Sequence, residues 1–293
     1  MKWLFFITPP LLSAIKVLSQ SYFSRGKVKT LADSIKFNGI MFFFAALSLS
    51  IFTVRRLPSL ETVLFALIGA ILALGFQIFY VASFKSGAVS LSSTVSNFSS
   101  VIPIIFSLIV YKEPIGIFKY AGFALMAVAI LLMPSSNKAN SHAKKGIKTT
   151  KKWFIFITLT TLCGGFAAVL QQVFSKSAVA NEKELFTAII YVFSCIFSFS
   201  ILPFVKGKEP LYKNDLKSGA GLIISGLALG FYNLLVVSAL LFIPASEFFP
   251  TNTGLIILTT VVLSSITFKE IPSVKQIIGI ICTIAATVVI NLV

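Results

Sequence analysis

The sequence predicts an all-α integral membrane protein of ten transmembrane helices, arranged as two inverted five-helix repeats. Three observations point there. Of 293 residues, 57% are hydrophobic and 12% charged, and the mean hydropathy of +0.96 exceeds what a domain with a polar surface can carry. The apolar residues fall into about ten stretches, each near the ~20 residues that a helix needs to cross a bilayer core. The chain also repeats itself, since Trp3-Leu4-Phe5-Phe6-Ile7-Thr8 returns as Trp153-Phe154-Ile155-Phe156-Ile157-Thr158. The echo continues in order, with Gln20-Ser21-Tyr22-Phe23-Ser24 against Gln171-Gln172-Val173-Phe174-Ser175 and Ala73-Leu74-Gly75-Phe76 against Ala228-Leu229-Gly230-Phe231. Five helices per copy is an odd number, so the second copy enters the membrane from the opposite side and a pseudo-two-fold axis lies in the membrane plane.

The first repeat, residues 1–133, holds segments at 2–24, 36–54, 62–84, 88–110 and 115–133. A basic, Ser- and Asn-rich linker, 134–152, joins it to the second repeat, 153–293, with segments at 153–175, 185–205, 217–241, 245–267 and 273–293. Segment one follows Lys2 as the apolar part of a signal peptide would, but its copy at Trp153 makes it the first helix of a repeat. Pro9 and Pro10 in segment one, Pro103 in segment four and Pro250 in segment nine are expected to kink or break their helices. Segment eight carries Gly226-x-x-x-Gly230, which predicts tight packing against a neighbour. Cys163, Cys195 and Cys282 fall in three different segments with no paired spacing, as core filler does. No period-two alternation supports a barrel.

A net charge of +16 would suggest nucleic acid in a soluble chain. Here the basic residues sit in loops, so no nucleic-acid partner is expected and the partners are the bilayer and a small-molecule substrate. Arg25, Lys27, Lys29, Lys85, the linker lysines, Lys206 to Lys217, Lys269 and Lys275 put more than twice as many cations on the linker side as on the side of the termini. By the positive-inside rule the linker is cytoplasmic and both termini lie outside a cell membrane. Phosphate loop, zinc motif and nucleophile elbow are all missing, and His142 stands in the basic linker. No enzyme, cofactor or metal site is expected.

The most specific motif is the pair of turns Tyr111-Lys112-Glu113-Pro114 and Phe268-Lys269-Glu270-Ile271-Pro272, each between an apolar helix and a glycine-containing helix, with Gly122 or Gly279. A carboxylate and a proline suit a helix start. With Glu113 and Glu270 so placed after the fourth segment of each half, the whole chain resembles two tandem EamA domains of the drug/metabolite transporter superfamily. The resemblance implies a ten-helix bundle around a cavity lined by the third, fourth, eighth and ninth helices, with the first and sixth contributing. It also implies carriage of amino acids, other metabolites or drugs, and cytoplasmic termini, against the charge count.

Polar residues inside spans are the substrate-site candidates, because burying them is costly without a partner. They are Lys16 and Gln20 on segment one, Gln77 and Tyr80 on three, Ser93 and Asn97 on four, Gln171 on six, Tyr232 and Asn233 on eight, and Glu247, Thr251 and Asn252 on nine. Hydrogen bonding between helices is the competing reading for each. Lys16 stands about 20 Å along its helix from Trp3, where it either snorkels or meets Glu247 across one cavity to hold a zwitterion. Glu247 either caps the ninth helix or carries a coupling proton. Neither first helix of a repeat contains an acid, which disfavours proton-coupled efflux of lipophilic cations. The expected function is a secondary transporter of small neutral or zwitterionic organic metabolites, amino acids first. Drug efflux is the alternative, and a scaffold or lipid scramblase the reading from another class. The oligomeric state stays open.

Overall fold

In a bilayer core the backbone must satisfy its own polar groups, which leaves helices or a closed barrel. The computed structural model describes residues 2–27, 31–53, 57–86, 96, 98–113, 116–132, 151–205, 216–268 and 274–291, and among them there is no strand. In the first half the helices are α1 (Lys2–Lys27), α2 (Leu31–Ser50), α3 (Leu60–Ser86), α4 (Val101–Val110) and α5 (Ile117–Leu132). In the second they are α6 (Lys151–Ser175), α7 (Lys183–Ile201), α8 (Leu216–Leu240), α9 (Ala245–Phe268) and α10 (Val274–Asn291).

Among the boundaries that differ from the sequence expectation, two have a plain physical reason. α2 starts at Leu31 rather than 36, with Asp33 in its first turn, where a carboxylate complements the helix dipole. Segment four changes helix type at a 3-10 turn, Phe98–Ser100, just before α4. Pro103 therefore lies in the first turn of α4, where its missing N–H leaves no helical bond unmade. α1 and α9 run on through Pro9, Pro10 and Pro250.

Every helix finds its principal partner in the other half. α1 packs on α8 and α9, and in the same way α6 packs on α3 and α4. α2 packs on α7 and α8, as α7 does on α2 and α3, while α5 pairs with α10 and α4 with α9. Exchanging each helix for its repeat counterpart returns the same set of pairs, as two inverted five-helix repeats require. Contacts between neighbours in one half, such as α2 with α3 or α7 with α8, are slighter.

The outer faces are apolar at helical spacing. Leu4, Ile7, Leu11 and Ile15 form one exposed stripe, Leu60, Leu64, Ile68 and Ile71 a second, and Ile277, Ile281, Ile284 and Val288 a third. Five stretches among the described residues are long and apolar enough to cross a membrane: Ala32–Ser50, Leu60–Tyr80, Lys151–Ser175, Ala180–Phe204 and Gly219–Leu240. This is a multi-pass membrane protein. Inside, Phe174 stacks on Phe186 at 3.9 Å and Phe42 on Tyr191 at 5.9 Å, joining α2, α6 and α7.

The neighbour of the Gly226-x-x-x-Gly230 face is α2. A Cβ on Gly226 would stand 2.6 Å from Cβ of Phe44 and 2.7 Å from the Met41 carbonyl, and one on Gly230 would stand 2.7 Å from Oγ of Ser48. Backbone meets backbone there, so any side chain must push two helices apart. Gly219, on the same helix, has nothing within 4 Å of such an atom. Gly226→Leu should therefore lower stability by about 1–3 kcal/mol, the usual cost of overpacking. Gly219→Ala should hold or raise it, by up to about 1 kcal/mol from helix propensity. Thermal unfolding of both variants in detergent checks this, and equal melting temperatures would contradict the packing.

Candidate functional site

Residues of both halves line a cavity of about 470 Å³. Seven of the sequence-predicted residues line it: Lys16 from α1, Gln77 and Tyr80 from α3, Gln171 from α6, Tyr232 and Asn233 from α8, and Asn252 from α9. Ser96, Ser99 and Ser100, at the turn before α4, complete the polar wall. Helices α1, α3, α6, α8 and α9 contribute, as do α2 and α7, while the fourth segment enters through residues ahead of α4 rather than through α4 itself.

The amides are ordered by one another. Nε2 of Gln171 donates to Oδ1 of Asn233 at 2.8 Å, and Nδ2 of Asn233 donates to the Leu229 carbonyl at 3.1 Å. Nδ2 of Asn252 donates to the Tyr232 hydroxyl at 3.3 Å. This leaves Oδ1 of Asn252 buried without a partner, and Oγ1 of Thr260, farther along the same wall, is in the same condition. Lys16 is half-buried and makes no ion pair or hydrogen bond among the described residues.

Other predicted residues stand elsewhere. Glu247, in the first turn of α9, and Thr251, buried, are not on the wall, and both are engaged in other interactions. The reason is rotation: five residues separate Glu247 from Asn252, about 7.5 Å of rise and roughly 140° around the helix. The pairing of Lys16 with Glu247 across the cavity is accordingly not what the geometry presents. Ser93, Asn97, Glu270 and the side chain of Gln20 lie outside the described residues.

Sequence reasoning missed an aromatic wall: Phe42 of α2, Tyr191 of α7, Phe249 of α9 and Phe76, which stacks on Tyr80 at 5.5 Å. It also missed Thr260, although the spacing Asn252, Ile256, Thr260 continues the polar face of α9 by two turns and would have found it.

Glu113 belongs to the end of the bundle that carries the termini. After α4, Lys112 adopts a left-handed φ of 49°, a conformation costing a non-glycine residue roughly 1–2 kcal/mol. The turn aims Glu113 away from its own next helix and across to the other half. Its Oε2 accepts the Ser246 N–H at 3.0 Å and its Oε1 the Ala245 N–H at 3.4 Å, so it caps α9. Nζ of Lys176, at the end of α6, donates to Oε1 at 3.2 Å and stands 3.7 Å from the Tyr111 ring centroid. Burial pushes the Glu113 carboxyl up, but the hydrogen bond from Ser246 and the Lys176 ammonium outweigh it and hold the group below the ordinary carboxylate value. A reciprocal cap runs the other way. Oε2 of Glu182, ahead of α7, accepts from the N–H and the hydroxyl of Ser59 at 3.0 Å each, at the start of α3.

A family model described as the EamA-like transporter family matches residues 3–134 and 151–292, one match per half. The chain therefore belongs to that family, within the drug/metabolite transporter superfamily. No curated protein matches the sequence. Among 29 similar chains of solved structures, one crystal structure has 13% identity and a TM-score of 0.78, covering 99% of this chain and 96% of that one. That likeness concerns the fold.

The Glu113 clasp gives a pH dependence with a definite sign. A carboxylate whose folded pKa is lowered contributes stability that is fully present above its ordinary value, 4.5, and is lost as pH falls through the lowered one. Glu113→Gln should reduce stability by roughly 1–2 kcal/mol near neutral pH, the worth of a helix cap. The gap between wild type and variant should stay constant down to about pH 5 and shrink below about pH 4. Melting curves of the two proteins across that range check it, and a gap that does not change with pH would exclude the clasp.

Proposed function

We propose that this EamA-like transporter is a secondary carrier of small neutral or zwitterionic organic metabolites, amino acids first among them, working by alternating access. The observation that supports it is the cavity itself. It is lined by helices of both halves, it falls within the ~300–1,000 Å³ of typical small-molecule sites, and amides and hydroxyls converge on it. Rocking one half against the other about that place would expose it to each side in turn. We assign substrate contact to Lys16, Gln77, Tyr80, Gln171, Tyr232, Asn233 and Asn252. The inward-facing polar lining supports passage of a solute over passage of lipid.

The aromatic wall favours a second reading, efflux of aromatic drugs through the same cavity. Against cationic drugs stands the lining's charge, an ammonium with no carboxylate among the described residues. Glu247, off the wall, lends no support to a coupling proton taken at the substrate site. The charge distribution supports a cytoplasmic linker in the cell membrane with both termini outside.

Proteoliposomes of the full chain, given a panel of labelled neutral amino acids with and without a pH gradient, test the reading. Saturable uptake is expected, reduced roughly three- to tenfold by Asn252→Ala, the worth of about one hydrogen bond, and unchanged by Glu247→Gln. Absence of saturable uptake across the panel would rule amino acids out and turn the test to drugs. For orientation, the three native cysteines are replaced by alanine and Ser135→Cys is introduced. A membrane-impermeant maleimide should leave that thiol unlabelled on intact cells and label it after lysis; labelling of intact cells would reverse the topology.

A further inference from the structure

Lys16 gives the cavity a charge that nothing described in the protein balances. It is the fifteenth residue of the 26-residue α1, inside that helix's apolar stretch Leu4–Ser19. The rest of the described lining is amide, hydroxyl, aromatic or aliphatic, without a carboxylate. An ammonium held in such a place without a counter-ion is costly, and an anion arriving beside it lowers that cost. A second group on the same wall is also incomplete. Asn252 is 2% exposed, and with its Nδ2 given to Tyr232 its Oδ1 accepts nothing. An unpaired buried acceptor is best met by an N–H or O–H brought by a ligand.

Resting on the carrier reading above, we propose that Lys16 is a carboxylate subsite, with Asn252 accepting a hydrogen bond from a neighbouring donor on the same molecule. The substrate class is then small organic acids that carry an adjacent N–H or O–H. In an amino acid the carboxylate is indispensable. The ammonium serves only as a donor, and a hydroxyl can replace it. A primary amine of the same skeleton, without the carboxylate, would meet the Lys16 ammonium with like charge and no anion to offset it, and is rejected.

Matched probes separate the groups: leucine, 2-hydroxyisocaproate and isoamylamine, and likewise phenylalanine, phenyllactate and phenethylamine. Each is measured by thermal shift on the purified full chain and by uptake in proteoliposomes. The amino acid and the hydroxy acid of one skeleton should bind within about tenfold of each other, and the amine not at all. Lys16→Met should weaken the acids at least about tenfold, the loss of a charge-assisted hydrogen bond, while Lys16→Arg retains them. Because an unpartnered buried charge disappears, Lys16→Met without ligand should melt no lower than wild type, which separates loss of binding from loss of folding. Amines binding as well as acids, or acids binding unchanged to Lys16→Met, would overturn the subsite and leave a metabolite carrier standing. Silence of every probe in both assays would overturn the subsite together with the amino-acid reading.

Discussion

Everything in this molecule depends on the halves supplying each other's packing. Lipid is as apolar as a leucine side chain, so helices in a bilayer gain little by hiding hydrophobic faces and are held by close backbone approach and polar contacts. Both kinds of contact here run between the repeats. Gly226 and Gly230 bring the backbone of α8 onto that of α2. Glu113 of the first half caps α9 of the second, and Glu182 of the second reaches back to Ser59 at the start of α3. The left-handed Lys112 fits this pattern, since its strain is what turns a carboxylate from its own half toward the other.

The cavity follows from the same arrangement. Residues of both halves line it, small ones such as Gly69, Gly164 and Ala167 beside amides and hydroxyls. Within the second half, Gln171 bonds to Asn233 between α6 and α8, and Asn252 to Tyr232 between α9 and α8. One end of the seam is tied by the two carboxylate caps and the Lys176 ion pair. In the middle, Oδ1 of Asn252 and Oγ1 of Thr260 stand buried without a partner.

The fold was legible because duplication and hydropathy are properties of the chain read in order. Seven cavity residues were legible too, since a costly polar residue in a span advertises itself. What sequence could not supply was partnership across distance. The Glu113 cap was expected at a helix start, but α9 begins 132 residues away and nothing local names it. The glycine face of α8 announced a neighbour without saying that it was α2. Charge alone left open whether Lys16 meets Glu247 or each stands apart, and the rotation of α9, which keeps Glu247 off the wall that Lys16 lines, is not written in the charges. Tyr191 and Phe42 went unread because an aromatic residue in an apolar span looks the same whether it faces lipid, core or cavity.

The interleaving of the halves also bears on the order in which the protein is made. The chain emerges from its N-terminus, so α1 to α5 enter the membrane before any of their principal partners have been synthesised. α5 waits for α10, the last helix, and α2 waits for α7. During that interval Asn38 and Gln77, both buried in the finished molecule, have no finished interior to enter. Insertion and packing are thus separate events here: the first half is threaded early, and its tertiary structure is completed by the last helices to leave the ribosome.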